Sequence, residues 1–275
     1  MKVFISFDME GVAGISDWAH CLPEGRDYGI GVGLTLGEVN AAIEGAAAAG
    51  ATEFVVNDSH YKMRNLDPRE LAQRARYLSG SHKPLYMMQG LDASFDAVFF
   101  VGYHGSISGE PSILSHSYSP STFSRIVVDD QEVGEAGINA LVARHFEVPI
   151  AMITGDQVGV AQNGTLLGDP RRVVVKHSIT RNATESLHPE EARALIYEAA
   201  RGAISGVSSL PLAPVASPVE VRLEFLDADM AEISTWIVGV ERTGTRSAVI
   251  RSDDRLAAFR SFVGVSYLTR QVGGR

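Results

Sequence analysis

Along the first two thirds of the chain, short unbroken apolar runs alternate with longer stretches of helical period. Lys2 to Phe7, Thr52 to Val56, Ala97 to Tyr103, Ile150 to Thr154 and Arg172 to Lys176 read as strands buried on both faces. Strands separated by helices require parallel crossovers. One helix is predicted from about Leu36 to Ala49, opened by Thr35 and Glu38 in capping-box spacing and stopped by Gly50. A second opens with Asp67, Pro68 and Glu70, which supply the cap, the first-turn proline and the capping-box acid. Two more are predicted from Gly134 to Phe146 and from Pro189 to Ile204. The expected fold is α/β, a three-layer, doubly wound, mostly parallel sheet.

The pattern then changes. Leu210 to Pro218 holds Pro211, Pro214 and Pro218 among small residues and reads as a linker. Beyond it Val219, Val221, Leu223 and Phe225 alternate with Glu220, Arg222 and Glu224, the mark of a strand buried on one face only. A helix around Trp236, a strand near Val249 and a final helix around Phe259 complete a small C-terminal α+β unit. The expected division is an α/β catalytic domain over 1–209 and a smaller unit over 219–275, packed on it or used in assembly.

With 275 residues, 45% of them hydrophobic, the chain can bury a large core without staples. The single cysteine, Cys21, excludes an internal disulfide and clustered thiolate metal sites, and suits a reducing, cytoplasmic setting. The first apolar run is broken by Asp8 and Glu10 before it reaches signal-peptide length. No run approaches the ~18 apolar residues of a membrane span. The net charge is −9 and the basic residues are scattered, which argues against nucleic acid as a partner. A small cationic, zwitterionic or neutral substrate is easier to accommodate.

The chemistry concentrates where the strands end. The first runs into Asp8 and Glu10, two apart and so on one side of an extended chain. The second ends Asn57-Asp58-Ser59-His60, and the third Gly102-Tyr103-His104. Carboxyl ends of parallel strands form the ligand crevice of α/β sheets, so these side chains should converge. Glu135 lies in the first turn of a helix, where a carboxylate is favoured by the dipole. Carboxylates and imidazoles without thiolates suit a catalytic zinc or similar divalent ion. Taken singly, an acid at a strand end is more often a cap or a solvated turn residue, and it is the coincidence of several that carries weight. Asp58 is a ligand or, beside Ser59, a residue that holds its own loop. His20, His82, His145, His177 and His188 sit in polar or turn contexts and are set aside. Gly29, Gly31 and Gly33 imitate part of a dinucleotide fingerprint but follow no strand, and read as a flexible lead-in to a helix. His116, in Ser115-His116-Ser117, lies on a loop rich in glycine and proline that can fold back over the crevice, or is simply solvated.

With Ser6-Phe7-Asp8-Met9-Glu10-Gly11, Asn57-Asp58-Ser59-His60, Gly102-Tyr103-His104, Ser115-His116-Ser117 and Gly134-Glu135 in this order, the chain resembles the DppA-type D-aminopeptidase family of metallopeptidases. The resemblance covers almost the whole chain, and the C-terminal third matches in outline. It implies two zinc ions per chain, with Asp8 bridging and Glu10, His60, His104 and Glu135 completing the ligands. It also implies a catalytic role for His116, release of N-terminal D-amino acids from short peptides, and a homodecameric ring. Such a pair of ions activates a hydroxide for attack on the peptide carbonyl. His116 would donate a proton to the leaving amine or stabilise the oxyanion, with Ser115 and Ser117 to orient it. The rivals are another two-metal hydrolase, an amidase or phosphoesterase, and a non-catalytic oligomer assembled by metals.

Overall fold

All five apolar runs form strands. The computed structural model describes residues 1–162, 164–212 and 216–273. In chain order the elements begin β1 (Lys2–Phe7), α1 (Trp18–Cys21), α2 (Tyr28–Ala48), β2 (Glu53–Asp58), β3 (Arg76–Leu78), β4 (Ala97–Tyr103), β5 (Phe123–Val128) and β6 (Gln131–Glu132). They continue α3 (Glu135–His145), β7 (Ile150–Asp156), α4 (Gln157–Ala161), β8 (Arg171–Thr180), β9 (Ala183–Ser186) and α5 (Pro189–Ser205). The last are β10 (Val219–Phe225), α6 (Ala228–Ser234), β11 (Val240–Gly244), β12 (Ser247–Ser252) and α7 (Arg255–Gly273).

The main sheet has the order β3-β2-β1-β4-β7-β8-β9, parallel throughout except for the antiparallel edge strand β9. Its central strands are apolar on both faces. Val3, Ile5 and Phe7 join one core with α2 and α5, while Phe4 joins the other with α3 and α7. This is the three-layer, doubly wound arrangement expected of continuous apolar runs. Strand order reverses between β1, which pairs with β2 on one side, and β4 on the other. That reversal opens a crevice at the carboxyl ends of β1, β2 and β4.

A second, antiparallel sheet has the order β11-β12-β10-β5-β6. Val219, Val221, Leu223 and Phe225 are buried in the α3 and α7 core, as the alternation predicts. β10 pairs with β5, so this sheet draws on residues before and after the proline-rich segment. Residues 213–215 of that segment, Pro214 among them, lie outside the described residues.

Three predicted boundaries move. α2 begins at Tyr28, a full two turns early, and contains Gly29, Gly31 and Gly33. These glycines are no flexible lead-in: a Cβ on Gly31 would overlap the His20 carbonyl, so α2 needs glycine there to lie against α1. Thr35 and Glu38 therefore cap nothing; Thr35 bonds back to the Gly31 carbonyl (2.8 Å) and Glu38 accepts from the Ala13 N–H (2.8 Å). In place of the helix opened by Asp67-Pro68, two short 3₁₀ turns form, Pro68–Glu70 and Ala72–Arg74, because the chain must return to the sheet edge as β3. The helix placed around Trp236 ends at Ser234, which leaves Trp236 exposed. Among the described residues no helix is long and apolar enough to cross a membrane.

The close approach of the chain just after β1 to the end of β4 rests on Gly102, whose φ is +73°. A Cβ there would overlap the Asp8 carbonyl. Gly102→Ala is expected to cost at least about 1–3 kcal/mol, the strain of a left-handed non-glycine residue. An unchanged urea midpoint would show that the strands pass less tightly than described.

Candidate metal centre

Beyond β1 the chain keeps bonding to β4: the Asp8 N–H donates to the Val101 carbonyl (2.8 Å) and the Gly11 N–H to that of Gly102 (2.8 Å). Asp8 and Glu10 are thereby carried over the end of the sheet. His60 arrives from β2, His104 from β4 and Glu135 from the first turn of α3. All five side chains predicted as ligands are brought together and buried. The loop after His104 returns so that the His116 ring stacks on His104, with centroids 4.5 Å apart.

Each of the three imidazoles gives one N–H to a backbone carbonyl. His60 Nε2 donates to Cys21 O (2.9 Å), His104 Nδ1 to Gly105 O (2.9 Å) and His116 Nδ1 to Leu114 O (2.9 Å). A carbonyl only accepts, so in the neutral rings the opposite nitrogens carry lone pairs. Those nitrogens face carboxylates. His60 Nδ1 lies 3.0 Å from both Asp8 Oδ1 and Glu10 Oε2. His104 Nε2 lies 3.6 Å from Asp8 Oδ2 and is buried without a hydrogen-bond partner. His116 Nε2 lies 3.4 Å from Glu135 Oε1. Lone pairs pointed at carboxylates in a dry site repel unless a cation stands between them, and a metal-binding histidine typically has its other N–H fixed in this way.

The donor set fits a divalent metal. Ligand atoms of Asp8, His104 and Glu135 lie within 4.8 Å of one another, as do those of Glu10, His104 and His116. Glu10, Cys21 and His60 share that span. Burial, reinforced by Glu10 and Asp8, pushes the Cys21 thiol up, so it stays protonated beside the carboxylates.

Several supporting residues carry no signal that sequence reasoning used. Lys176 is buried in the middle of β8 and donates to the carbonyls of Glu10 (2.5 Å), Val12 (2.8 Å) and Ile15 (2.7 Å), fixing the loop that presents Glu10. Burial pushes its pKa down to about 8, with Glu38 and Asp156 opposing. A lone lysine closing an apolar strand was the available clue. Glu135 Oε1 accepts from the Tyr118 N–H (2.7 Å). Asp58 accepts from Asn65 N (2.5 Å), Asn65 Nδ2 (2.8 Å) and the Tyr77 hydroxyl, so it holds its loop. The loop carrying His116 is fastened to the β8–β9 hairpin: Leu114 N donates to Arg181 O (2.8 Å), and Arg181 Nε to Ser115 O (3.0 Å). Ser115 and Ser117 do not orient the His116 ring; the Leu114 carbonyl does, and the buried Ser117 hydroxyl has no partner.

A cavity of about 480 Å³ opens onto Asp8, Glu10, His60, His116 and Glu135. Trp18, Leu22, Tyr86, Met87 and Pro120 give it apolar walls, and Arg270 of α7 adds a cation. His104 is not part of this lining and sits behind it.

A profile of the D-aminopeptidase family matches residues 1–263. A D-aminopeptidase of Bacillus subtilis (strain 168) is 34% identical over 270 residues, covering 98% of this chain and 97% of that protein. Among solved structures, the Zn-dependent D-aminopeptidase DppA from Bacillus subtilis, described as a self-compartmentalizing protease, superposes with a TM-score of 0.92 at 31% identity, covering 98% of each chain.

The electrostatics give opposite pH slopes to the metal-free and metal-loaded protein. Burial disfavours a charged His60, but Glu10, with hydrogen bonds to Asp8 and Glu10 itself, overcomes it and holds the ring well above the ordinary value. His104 is raised too, burial being outweighed by Glu135, Glu10 and Asp8. The Asp8 carboxyl is pushed well above the usual range by burial and by Glu10. Groups that bind protons more tightly when folded contribute stability below their unfolded pKa and lose it as pH rises through the folded one. Chelator-treated protein should therefore lose stability above about pH 6.5, the ordinary histidine value. Zinc binding requires deprotonated ligands and should strengthen over the same interval. Calorimetric melting at successive pH values with chelator or with zinc reads both slopes; parallel slopes would contradict the electrostatic account.

Proposed function

Because the chain belongs to the D-aminopeptidase family of peptidases, we propose that it is a zinc-dependent aminopeptidase that releases N-terminal residues, D-configured by family, from short peptides. Asp8, Glu10, His60, His104 and Glu135 would hold two zinc ions per chain in this reading, and the two oxygens of Asp8 face different imidazoles, Oδ1 that of His60 and Oδ2 that of His104. The observation that carries the proposal is the set of three imidazoles, each with one nitrogen bonded to a backbone carbonyl and the other turned toward carboxylates. Bound zinc supplies a Lewis acid for the scissile carbonyl and acidifies water toward a pKa of about 7.

The chain's own groups do the rest. The free amine of a peptide would meet the cavity floor as a ligand of one ion or beside one of its carboxylates, which sets cleavage at the first residue. The apolar walls around Trp18, Leu22 and Met87 take small apolar side chains and exclude water. His116 is the catalytic residue: its Nδ1–H is held by Leu114, and its bare Nε2 reaches the cavity, where it accepts a proton and returns it to the departing amine. His104, screened from the cavity, is the better placed of the stacked pair to be a ligand.

Elemental analysis of zinc-supplemented protein should give about two ions per chain, since five ligands oversupply one ion. His116→Ala should keep that content and lose turnover by about 10²–10⁴-fold, the usual worth of a proton-transfer residue. One ion or none would sink the two-metal reading, while loss of metal from His116→Ala would make His116 a ligand.

Self-assembly in a cytoplasmic setting belongs to the same proposal, with a decameric ring implied by the family resemblance. Exposed Trp236 (70%) and Val238 (95%) sit side by side on the α6–β11 turn, apolar surface that an assembled subunit has reason to cover. Sedimentation velocity should find a large homo-oligomer; a stable monomer at micromolar concentration would end this part of the proposal.

A further inference from the structure

The cavity wall holds one cation whose role the metal centre leaves open. Arg270 lies on α7, beyond residue 263 where the family match ends. Its Nη2 donates to the Tyr118 carbonyl, and its Nε is buried without a hydrogen-bond partner. Among the described residues Arg270 makes no ion pair, although Asp8, Glu10 and Glu135 line the same cavity. The rings of Tyr86 and Tyr267 flank the guanidinium, at 5.7 Å and 5.9 Å from its carbon. Such a frame fixes the planar fork and lets it meet a carboxylate with paired hydrogen bonds.

Tyr118 sets the spacing. Its N–H donates to Glu135 Oε1 (2.7 Å) while its carbonyl accepts from Arg270. One residue of backbone thus separates the carboxylate floor from the guanidinium, a gap of at most about 9 Å. The cavity is acidic on its floor and cationic on its wall, a pairing that suits the two ends of a peptide with a free C-terminus.

Resting on the aminopeptidase reading, we propose that Arg270 binds the free α-carboxylate of the substrate, so that the protein selects short peptides with a free C-terminus over their C-terminally amidated forms. The amino end goes to the metal-bearing floor and the carboxylate end to Arg270. Arg270 acts on binding and not on the bond-breaking step.

The test compares a D-alanyl dipeptide with its C-terminal amide on zinc-loaded, full-length protein. Wild type should favour the free acid in kcat/KM by about 10-fold or more, chiefly through KM, as expected of a charge-assisted contact. Arg270→Gln should bring that ratio close to one, and Arg270→Lys should keep part of it through its point charge. A wild-type ratio near one overturns the proposal. So does an Arg270→Gln variant that loses both substrates equally, since that outcome assigns the arginine only to holding Tyr118. Should wild type cleave neither peptide, the aminopeptidase reading fails instead, and calorimetric binding of the same acid and amide then decides on Arg270: equal affinities would overturn it, and tighter binding of the acid would uphold it.

Discussion

Confinement of three buried carboxylates with three imidazoles at and just behind the floor of one cavity is the constraint on which the rest of the structure depends. Two like charges about 4 Å apart in a protein-like dielectric repel by roughly 4 kcal/mol, and every desolvated carboxylate adds its own penalty. The folded chain arranges Asp8, Glu10 and Glu135 around His60, His104 and His116 all the same, and fixes each ring from behind with a carbonyl. An arrangement so costly in isolation has a physical rationale once cations occupy its centre, and it is then preorganised because no ring has to turn to bind.

The scaffold holds this arrangement by fastening loops rather than by stiffening them locally. Three carbonyls of the loop that carries Glu10 converge on Lys176, and the Ala13 N–H of the same loop meets Glu38 of α2. The His116 loop is tied to the β8–β9 hairpin through Arg181. Beneath the floor Ser6 joins Ser59 and the Tyr103 hydroxyl, which also meets Asn139 of α3. β1, β2, β4 and α3, the four elements that carry the proposed ligands, are thus cross-linked by buried polar contacts immediately below the site.

How far this was legible in the sequence follows the range of the interactions. Strands buried on both faces leave unbroken apolar runs, so β1, β4 and β7 were readable, and with them the convergence of Asp8, Glu10, His60 and His104 at one edge of the sheet. Short elements stabilised by distant partners were not: β3 has three residues at the sheet edge, and β5 pairs with a strand almost a hundred positions later. The start of α2 was missed because Gly31 answers to α1, a tertiary demand that outweighs helix propensity. Lys176 and Arg270 were missed for the same reason, since their partners lie about 160 and 152 positions away along the chain.

The cavity divides its labour between the two sheets. Proposed ligands come from strand ends of the parallel sheet, whereas much of the wall comes from the Tyr86 turn, the segment around Tyr118 and α7. α7 also packs against α3, whose first residue is Glu135, and the Tyr118 ring packs edge-on against Phe262 of α7. Tyr118 therefore ties the carboxylate of a proposed ligand, Glu135, to a wall cation through one residue of backbone and one shared core. Floor and wall are thus set by different layers of the same fold: the proposed ligands rest on strand ends of the parallel sheet and on α3, and the wall cation rests on α7, so a change in how α7 packs would alter the wall before it altered the floor.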